Sequence, residues 1–290
     1  MFGFLLIDKP KGANSFQVVR SLRRVCNLRR VGYSGTLDPL ASGLMITAIG
    51  EATKLLAGLE KLDKVYEVSI QFGATSATYD AEGPITVHQV EKKPSKSEIQ
   101  KVLKAKFLGE QWQMPPVYSA IKIGGKRAYN LARKGLTVDL KKRKVQFFSI
   151  KIKRYRWPQL VCTVHCSSGT YIRSFAHDLG QTLGCGAYVE DLCRLKVDSY
   201  SIKNAVLLDK ITAQNVRRFL LSPQKFFKTA KQVILNESEY KILANGGFIS
   251  NHKKCKTGQL LAIYKNECVG LLETYDNAKK LKFLKKFNIV

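Results

Sequence analysis

The sequence predicts an α+β protein that forms one large domain or two smaller ones. Residues 64–72 alternate between apolar and polar side chains, which indicates a half-buried strand. An amphipathic stretch after Asn14 or Ser15 indicates a helix, since either residue can cap its N-terminus. Beyond Pro223, short alternating runs separated by glycines and basic turns indicate a small β-rich module. A chain of 290 residues is long enough to bury a proper core.

The remaining elements follow in order along the chain. Ser95 and Glu98 form a capping box that opens a helix reaching about residue 108. An apolar stripe from Ile172 to Leu183 predicts another helix, which ends at Gly184. A further helix is expected at 51–59. Strands are expected at 2–7, 44–49, 64–72, 144–154, 159–166 and within 185–202.

The composition predicts a polyanionic partner. The chain has 49 Lys and Arg residues against 22 Asp and Glu residues, a formal net charge of +27. Such an excess repels itself unless a polyanion neutralises it, so nucleic acid is the leading candidate and an anionic membrane surface is the alternative. No apolar run approaches the length of a membrane-spanning helix. Arg20, Arg23 and Arg24 lie on the polar face of the first helix, where phosphate contact is expected.

The cysteines indicate a reducing compartment. There are seven, an odd number, and no two form a Cys-x-x-Cys pair. The four histidines do not lie at ligand spacing near them. No signal peptide precedes them. The sequence therefore predicts a cytoplasmic protein without a structural metal.

Residues 31–43 (VGYSGTLDPLASG) form the most distinctive motif. Three glycines and Pro39 exclude a regular helix or a central strand, so the backbone must turn here. Pro39 biases Asp38 towards an extended conformation, and Ser34 and Thr36 can donate hydrogen bonds nearby. A single acid on a stiff loop suits nucleophilic or proton-transfer chemistry. The alternative is an Asx-type turn in which Asp38 caps its own backbone.

Three other places carry side chains suited to a nucleic-acid substrate. Arg173 stands in the first turn of its helix, where the dipole disfavours a positive charge, so it needs a nearby anion such as the carboxylate of the glycine-rich motif. Tyr66 is either a core residue or a ring that stacks on a base. The segment 113–133 begins with two prolines and continues with Lys122, Arg133 and other basic residues, as expected for a mobile loop-helix over a substrate.

Taken in order, these motifs resemble the bacterial tRNA pseudouridine synthases of the TruB type. The resemblance covers the first two-thirds of the chain and rests on residues 6–15, 35–54, 64–66, 113–122 and 169–173. It implies that Asp38 is the essential aspartate, that Tyr66 stacks on the flipped base and that Arg173 pairs with the catalytic acid. The residues assigned to substrate binding are Lys9, Tyr33, Tyr171, Leu192 (an apolar residue under the base), Lys122 and Arg133.

The resemblance also implies an activity and an architecture. The activity is isomerisation of uridine to pseudouridine in the T-loop of tRNA, the pseudouridine-55 synthase reaction, by base flipping and without a cofactor. The expected fold is a mixed, mostly antiparallel curved sheet with flanking helices. A catalytic domain is expected over 1–222, with a thumb-like insertion at about 111–140, and a PUA-like RNA-binding module over 223–290. The expected partner is the T arm of tRNA, bound by a monomer without a metal or a membrane.

Position 33 departs from the family pattern. Members usually carry histidine where this chain has Tyr33. That residue is thought to hold the RNA loop rather than to take part in the bond changes. The departure therefore bears on efficiency or substrate range more than on the reaction.

Two other functions are consistent with parts of the sequence. One is the guide-RNA-dependent relative, the catalytic subunit of a ribonucleoprotein that modifies ribosomal RNA; its members usually have extended termini, whereas this chain begins almost at the first motif. The other is a non-catalytic RNA-binding or tRNA-folding protein that retains the fold. The presence of Asp38, Tyr66 and Arg173 argues against the second alternative.

Overall fold

The computed structural model describes residues 1–119, 121–123, 125–128, 139–252, 255 and 260–288. The strands are β1 (Gly3–Lys9), β2 (Val31–Ser34), β3 (Ser42–Ile49), β4 (Lys64–Phe72), β5 (Ala74–Ser76), β6 (Ile85–Val87), β7 (Gly109–Gln113), β8 (Lys122–Ile123), β9 (Lys126–Arg127), β10 (Arg143–Arg156), β11 (Gln159–Cys166), β12 (Ala187–Val197), β13 (Tyr200–Ser201), β14 (Val206–Leu207), β15 (Gln232–Ile234), β16 (Ile249–Ser250), β17 (Leu260–Tyr264), β18 (Glu267–Tyr275) and β19 (Lys280–Lys286). The α-helices are α1 (Ser15–Cys26), α2 (Leu56–Leu59), α3 (Lys96–Val102), α4 (Ile172–Thr182), α5 (Val216–Phe219), α6 (Pro223–Phe226) and α7 (Glu237–Ala244).

Ten strands form one large sheet. Its main path is β14-β1-β3-β12-β4-β11-β10-β7, with β2 paired to β3 and β13 paired to β12. The β1–β14 and β12–β3 pairs are parallel, and the other pairs in this sheet are antiparallel. This confirms the expected α+β fold with a mixed, mostly antiparallel sheet.

The strand β4 shows how the sequence pattern positions the sheet. Its burial alternates strictly from Lys64 to Phe72, with Tyr66, Val68, Ile70 and Phe72 facing the core. These side chains pack against α4 through Phe175 and Leu179. The period-two prediction for this segment is therefore confirmed, and α4 covers the same face of the sheet that carries Tyr66.

The two helices that border the candidate site begin where the sequence predicted. Asn14 caps α1 and forms a capping box with Gln17. The buried residues of α1 pack against β1 and β3. In α4, Tyr171 is the N-cap residue and Gly184 follows the last turn with a positive φ of 69°.

Two predicted helices differ in detail. The stretch 51–59 is a 3₁₀ turn over Gly50–Leu55 followed by the short helix α2. The stretch after Ser95 is α3 followed by a π-type turn over Leu103–Phe107. Both stretches still bury apolar side chains, among them Leu55 and Leu56 in the first and Leu103 and Phe107 in the second.

The C-terminal segment forms a second sheet with the order β15-β17-β18-β19-β16. It also contains α7, capped by Asn236, and its lysine-rich tail is the strand β19. Neither element was predicted from the sequence. A shared apolar cluster joins the two sheets; it includes Phe4 and Leu44 from the first sheet and Leu261, Leu271 and Phe287 from the C-terminal segment. Within the described residues, no helix is long and apolar enough to cross a membrane.

Candidate active site

The Asp38 loop lies between β2 and β3 and is fixed by the segment that opens α1. Ser15 Oγ donates to the carbonyl of Leu37 and accepts its N–H, both at 2.9 Å. The Gly12 N–H donates to the carbonyl of Pro39 at 2.8 Å. The backbone on both sides of Asp38 is thus held by hydrogen bonds, and the carboxylate projects from a fixed position.

The far end of the loop is held against β12. Gly43 has a φ of +103°, and a Cβ built there would lie 2.5 Å from the carbonyl oxygen of Arg194. Only glycine allows this close approach together with a positive φ. The parallel pairing of β3 with β12 therefore requires Gly43 and joins the end of the loop to the strand that carries Leu192.

Arg173 reaches the carboxylate from the first turn of α4. Its Nε lies 2.9 Å from Oδ2 of Asp38, and the arginine side chain is only 6% exposed. The Nε–H is not aligned for a hydrogen bond, so this contact is an ion pair. The position of Arg173 predicted a nearby anion, and the Asp38 carboxylate is that anion.

The rest of the guanidinium is held by groups outside the predicted set. Nη1 donates to the carbonyl of Thr78 at 3.0 Å and Nη2 donates to the carbonyl of Tyr118 at 2.9 Å. Nη1 also lies 3.3 Å from Oδ2 of Asp80, a carboxylate that is 2% exposed. Asp80 in turn accepts the Thr78 hydroxyl and the N–H of Glu82. Arg173 is thus fixed in one orientation between two acids.

Asp80 was not identified from the sequence. It follows β5 in a polar stretch, where an acidic residue is ordinarily solvated. Its role depends on burial beside Arg173, which lies far along the chain. No local signal separates it from the surface acids nearby.

Opposing effects act on the pKa of Asp38. Burial raises the pKa of its carboxyl, the Arg173 guanidinium lowers it, and the Asp80 carboxylate raises it. The side chain is 39% exposed, but that surface faces cavities lined by protein, so the carboxyl is still desolvated. The net direction is upward. Arg173 therefore offsets a burial cost that would otherwise favour the protonated acid.

Lys9 is fully buried at the end of β1. Its Nζ donates to the carbonyls of Pro10 at 3.0 Å and Ala13 at 2.5 Å. Burial lowers the pKa of Lys9 to about 8, against the attraction of Asp38. Lys9 thus fixes the turn before α1 and contributes positive charge near the Asp38 carboxylate. Because its side chain is buried, it is not exposed for direct contact with a nucleic acid.

A cavity of about 490 Å³ brings most of the predicted residues together. Its lining includes the three predicted catalytic residues Asp38, Tyr66 and Arg173, and the predicted substrate-binding residues Tyr33, Tyr171 and Leu192. Its volume lies within the range of roughly 300–1,000 Å³ that is typical of small-ligand sites. Lys9 does not line it.

Arg194 is a second residue that the sequence analysis missed. It is 1% exposed, lines the cavity, and donates to the carbonyls of Leu44 at 2.7 Å and Gly35 at 3.1 Å. It also lies opposite Tyr66 in the pairing of β12 with β4. Burial raises the pKa of Tyr66, and the charge of Arg194 acts in the opposite direction. A signal was available, since Arg194 lies two residues after Leu192 and strand periodicity puts both on one face.

Tyr171 and Tyr33 both line the cavity. The backbone of Tyr171 exchanges hydrogen bonds with the side-chain amide of Gln113 at 2.8 and 2.9 Å, which fixes the entry into α4. The Arg143 guanidinium lies over the Tyr171 ring at 5.6 Å. The Tyr33 hydroxyl lies 3.5 Å from that of Thr36. Both rings therefore border the route towards Asp38.

Two predicted substrate-binding residues belong to the basic segment after the prolines. Lys122 lies in β8, which pairs with β9 in a two-stranded hairpin. Its side chain and the whole of Arg133 lie outside the described residues.

Among the residues that the structure describes, no group of three or more His, Cys, Asp or Glu side chains is arranged to hold a metal ion. The acids at the site, Asp38 and Asp80, contact Arg173 instead.

Two family models match adjacent stretches of the chain. Residues 23–172 match the model described as TruB family pseudouridylate synthase (N terminal domain). Residues 173–222 match the model described as tRNA pseudouridylate synthase B C-terminal domain. The first stretch contains Asp38 and Tyr66, and the second begins at Arg173.

Similar proteins cover nearly the whole chain. It is 34% identical over 289 residues to the tRNA pseudouridine synthase B of Clostridium tetani, covering 98% of this chain and 100% of that one. It is 39% identical over 279 residues to the tRNA pseudouridine synthase B of Syntrophomonas wolfei, covering 91% and 93%. A solved structure of an H/ACA RNP bound to a substrate RNA containing 2'-deoxyuridine aligns with a TM-score of 0.72 at 20% identity, covering 99% of this chain and 86% of that one. This last likeness shows the fold alone.

Proposed function

Since this chain belongs to the TruB family of pseudouridylate synthases, we propose that it isomerises a uridine of tRNA to pseudouridine and that its target is the T-loop uridine. The relatives whose names specify tRNA cover the chain almost end to end. The observation that carries the proposal is the Asp38–Arg173 ion pair, set in a cavity that also contains Tyr66.

The reaction places definite demands on such a cavity. The bond between C1' of the ribose and N1 of the base breaks, the base turns, and a bond from C1' to C5 forms. The C5 proton is then lost and N1 gains one. The carboxylate of Asp38 acts either as a nucleophile on the sugar or as a base that removes a proton from the ribose. Both roles require an ionised acid in a fixed direction, which the Arg173 contact supplies.

The target base must first leave its stack. Base flipping costs on the order of a few kcal/mol, and stacking on an aromatic ring returns about 1–3 kcal/mol per base. Tyr66 is the candidate for this stack, with Leu192 as the apolar surface beside it, since both line the cavity that holds Asp38. Arg194 is buried opposite Tyr66 in the pairing of β12 with β4 and lines the same cavity. We assign Tyr66 to stacking and Arg194 to positioning.

The rest of the proposal concerns the wider RNA surface. The basic segment that contains Lys122 and Arg133 is assigned to a thumb-like insertion over the T arm. The C-terminal segment from 223 is assigned to a PUA-like module that also contacts RNA; its support is a separate five-stranded sheet that ends in the lysine-rich strand β19. The excess positive charge of the chain fits an extended phosphate surface.

The guide-RNA-dependent alternative has weaker support. The likeness to the H/ACA particle is at 20% identity and concerns the fold, whereas the bacterial relatives at 34% and 39% identity have names that specify tRNA. The shared cavity of the acid, the arginine and the aromatic residue argues against the non-catalytic alternative.

The test is to incubate the purified protein alone with an unmodified tRNA transcript and to measure pseudouridine by mass spectrometry. We expect product at the T-loop uridine without any added RNA or metal. The Asp38→Asn variant should form none while binding tRNA within about tenfold of the wild type, or ~1.4 kcal/mol. Turnover by this variant, with deamidation excluded, would remove Asp38 from the mechanism. Product only after a guide RNA is added would favour the alternative.

A further inference from the structure

Tyr79 has an unusual backbone conformation beside Arg173. Its φ is +63°, in the left-handed region that residues other than glycine rarely occupy. Such a conformation persists only where the surrounding structure holds it. Both neighbours of Tyr79 contact the guanidinium: the carbonyl of Thr78 accepts a hydrogen bond from Nη1 at 3.0 Å, and Oδ2 of Asp80 lies 3.3 Å from the same nitrogen. The strained residue is therefore the centre of the segment that holds Arg173.

The ring of Tyr79 stacks on the imidazole of His177. The two ring centroids are 3.9 Å apart, and the ring planes are inclined by 13°. His177 follows Arg173 by four residues in α4, so both side chains project from the same face of that helix. The segment 78–80 is thus attached to α4 at two successive turns, once through Arg173 and once through the stack.

His177 contributes a ring face rather than a charge. Burial lowers the pKa of its imidazole, so the neutral form is favoured at neutral pH. Within the described part of the chain, its Nδ1 is buried and has no hydrogen-bond partner. Stacked aromatic rings stabilise a structure beyond the area that they bury. The stack with Tyr79 is therefore the interaction through which this imidazole acts.

The backbone around Tyr79 is also joined to β12. Val189 donates its N–H to the carbonyl of Tyr79 at 2.9 Å, and its own carbonyl accepts the N–H of Ala81 at 3.0 Å. These bonds are open to any residue type at position 79, whereas the contact with α4 depends on the ring. Neither Tyr79 nor His177 lines either of the two cavities that Asp38 borders. An effect of these rings on the reaction must therefore pass through other residues.

We propose that the Tyr79–His177 stack positions Arg173 for the reaction. The stack holds residue 79 in its left-handed conformation, and in that conformation the two flanking residues reach the guanidinium from either side of the turn. The guanidinium in turn directs the Asp38 carboxylate. This inference rests on the proposed function, and it adds two positioning residues that act through Arg173 without touching the substrate.

The test is a double-mutant cycle between positions 79 and 173. Conversion of an unmodified tRNA transcript is followed in a single turnover at saturating protein, which separates the rate of the bond changes from the affinity for tRNA. We expect Tyr79→Asn to lower this rate by about fivefold and to change the affinity by less than about twofold. Asparagine adopts a positive φ more readily than tyrosine, so the loss would come from the ring and not from the backbone. In the Arg173→Lys background the same substitution should cost less than about twofold, because the guanidinium that it positions is absent.

Further variants separate the stack from general packing. Tyr79→Phe and His177→Phe keep two stacked rings and should keep the wild-type rate, whereas His177→Ala should reproduce the loss of Tyr79→Asn. Phe148→Ala is the matched control, since its ring is 40% exposed and its centroid lies 4.7 Å from that of His165. The effect of this control should be the same in the wild-type and Arg173→Lys backgrounds. Thermal unfolding of each variant checks that it is folded, and the His177 variants decide the matter if Tyr79→Asn does not fold.

The outcomes are distinct. Wild-type rates in Tyr79→Asn and His177→Ala, or equal losses in the wild-type and Arg173→Lys backgrounds, would overturn the positioning role and leave the proposed function standing. A loss confined to tRNA affinity would overturn it as well. Absence of pseudouridine with the wild-type protein would count against the proposed function itself.

Discussion

Nε of Arg173 lies 2.9 Å from Oδ2 of Asp38, and Nη1 of the same guanidinium lies 3.3 Å from Oδ2 of Asp80. One planar cation therefore connects α4, the loop after β2 and the segment after β5. Buried charges are tolerated when they are paired and hydrogen-bonded, and this arginine also donates to two carbonyls. The direction of the Asp38 carboxylate follows from this arrangement.

The first prediction is that Arg173→Lys loses most activity and still folds. A lysine has one nitrogen and cannot contact Asp38, Asp80 and both carbonyls at once, so the carboxylate loses its fixed direction. We expect kcat to fall by about 100-fold, or ~2.7 kcal/mol of transition-state stabilisation. Circular dichroism should show a folded protein, since the apolar contacts of α4 are untouched. Near-normal turnover of this variant would mean that Arg173 only contacts phosphate and does not orient Asp38.

The second prediction concerns the pH dependence of Arg173→Ala. The guanidinium lowers the pKa of Asp38, so its removal raises that pKa further above the ordinary value. The ionised carboxylate then exists only at higher pH, and the acid limb of the kcat/KM profile should move upward. The residual rate should be measured from pH 4.5 to 9 on the same transcript. If the acid limb does not move, a group other than Asp38 controls it.

The third prediction is that Asp80→Asn moves the same limb in the opposite direction. The Asp80 carboxylate raises the pKa of Asp38, so its neutralisation lowers that pKa. The rate at neutral pH should nevertheless fall, by about tenfold, because Asp80 no longer fixes Arg173. Both variants, Asp80→Asn and Arg173→Ala, should be measured in one buffer series. Opposite shifts of the acid limb then distinguish an electrostatic effect on Asp38 from a loss of folding. Shifts in the same direction would contradict this electrostatic account.

The fourth prediction is a steep salt dependence of tRNA binding. The affinity should fall linearly on a plot of log affinity against log salt, because we expect the exposed arginines of the first helix and its following turn to contact phosphates. Arg24→Ala and Arg29→Ala should each reduce the magnitude of the slope by about one. Lys153→Ala is the control, since its ammonium pairs with Glu67. A flat dependence in the wild type would rule out the phosphate surface.

Much of the fold was accessible from local sequence. The strict alternation of β4 and the caps of α1 and α4 predicted those elements where they occur. The strand β19 was missed because its lysines hide the alternation that buries Leu281, and α7 was missed although Asn236 and Glu239 form a capping box. The parallel pairing of β3 with β12 was also not predicted, since it joins segments far apart in the chain.

By itself, the sequence determined the loop that presents Asp38 and the helix that begins beside Arg173. Turn chemistry and helix caps depend on residues a few positions apart, so both can be recognised locally. The tertiary structure alone decided that Asp80 joins this pair. An acidic residue acquires such a role through burial against distant segments, and the free energy of that packing leaves no pattern in the neighbouring sequence.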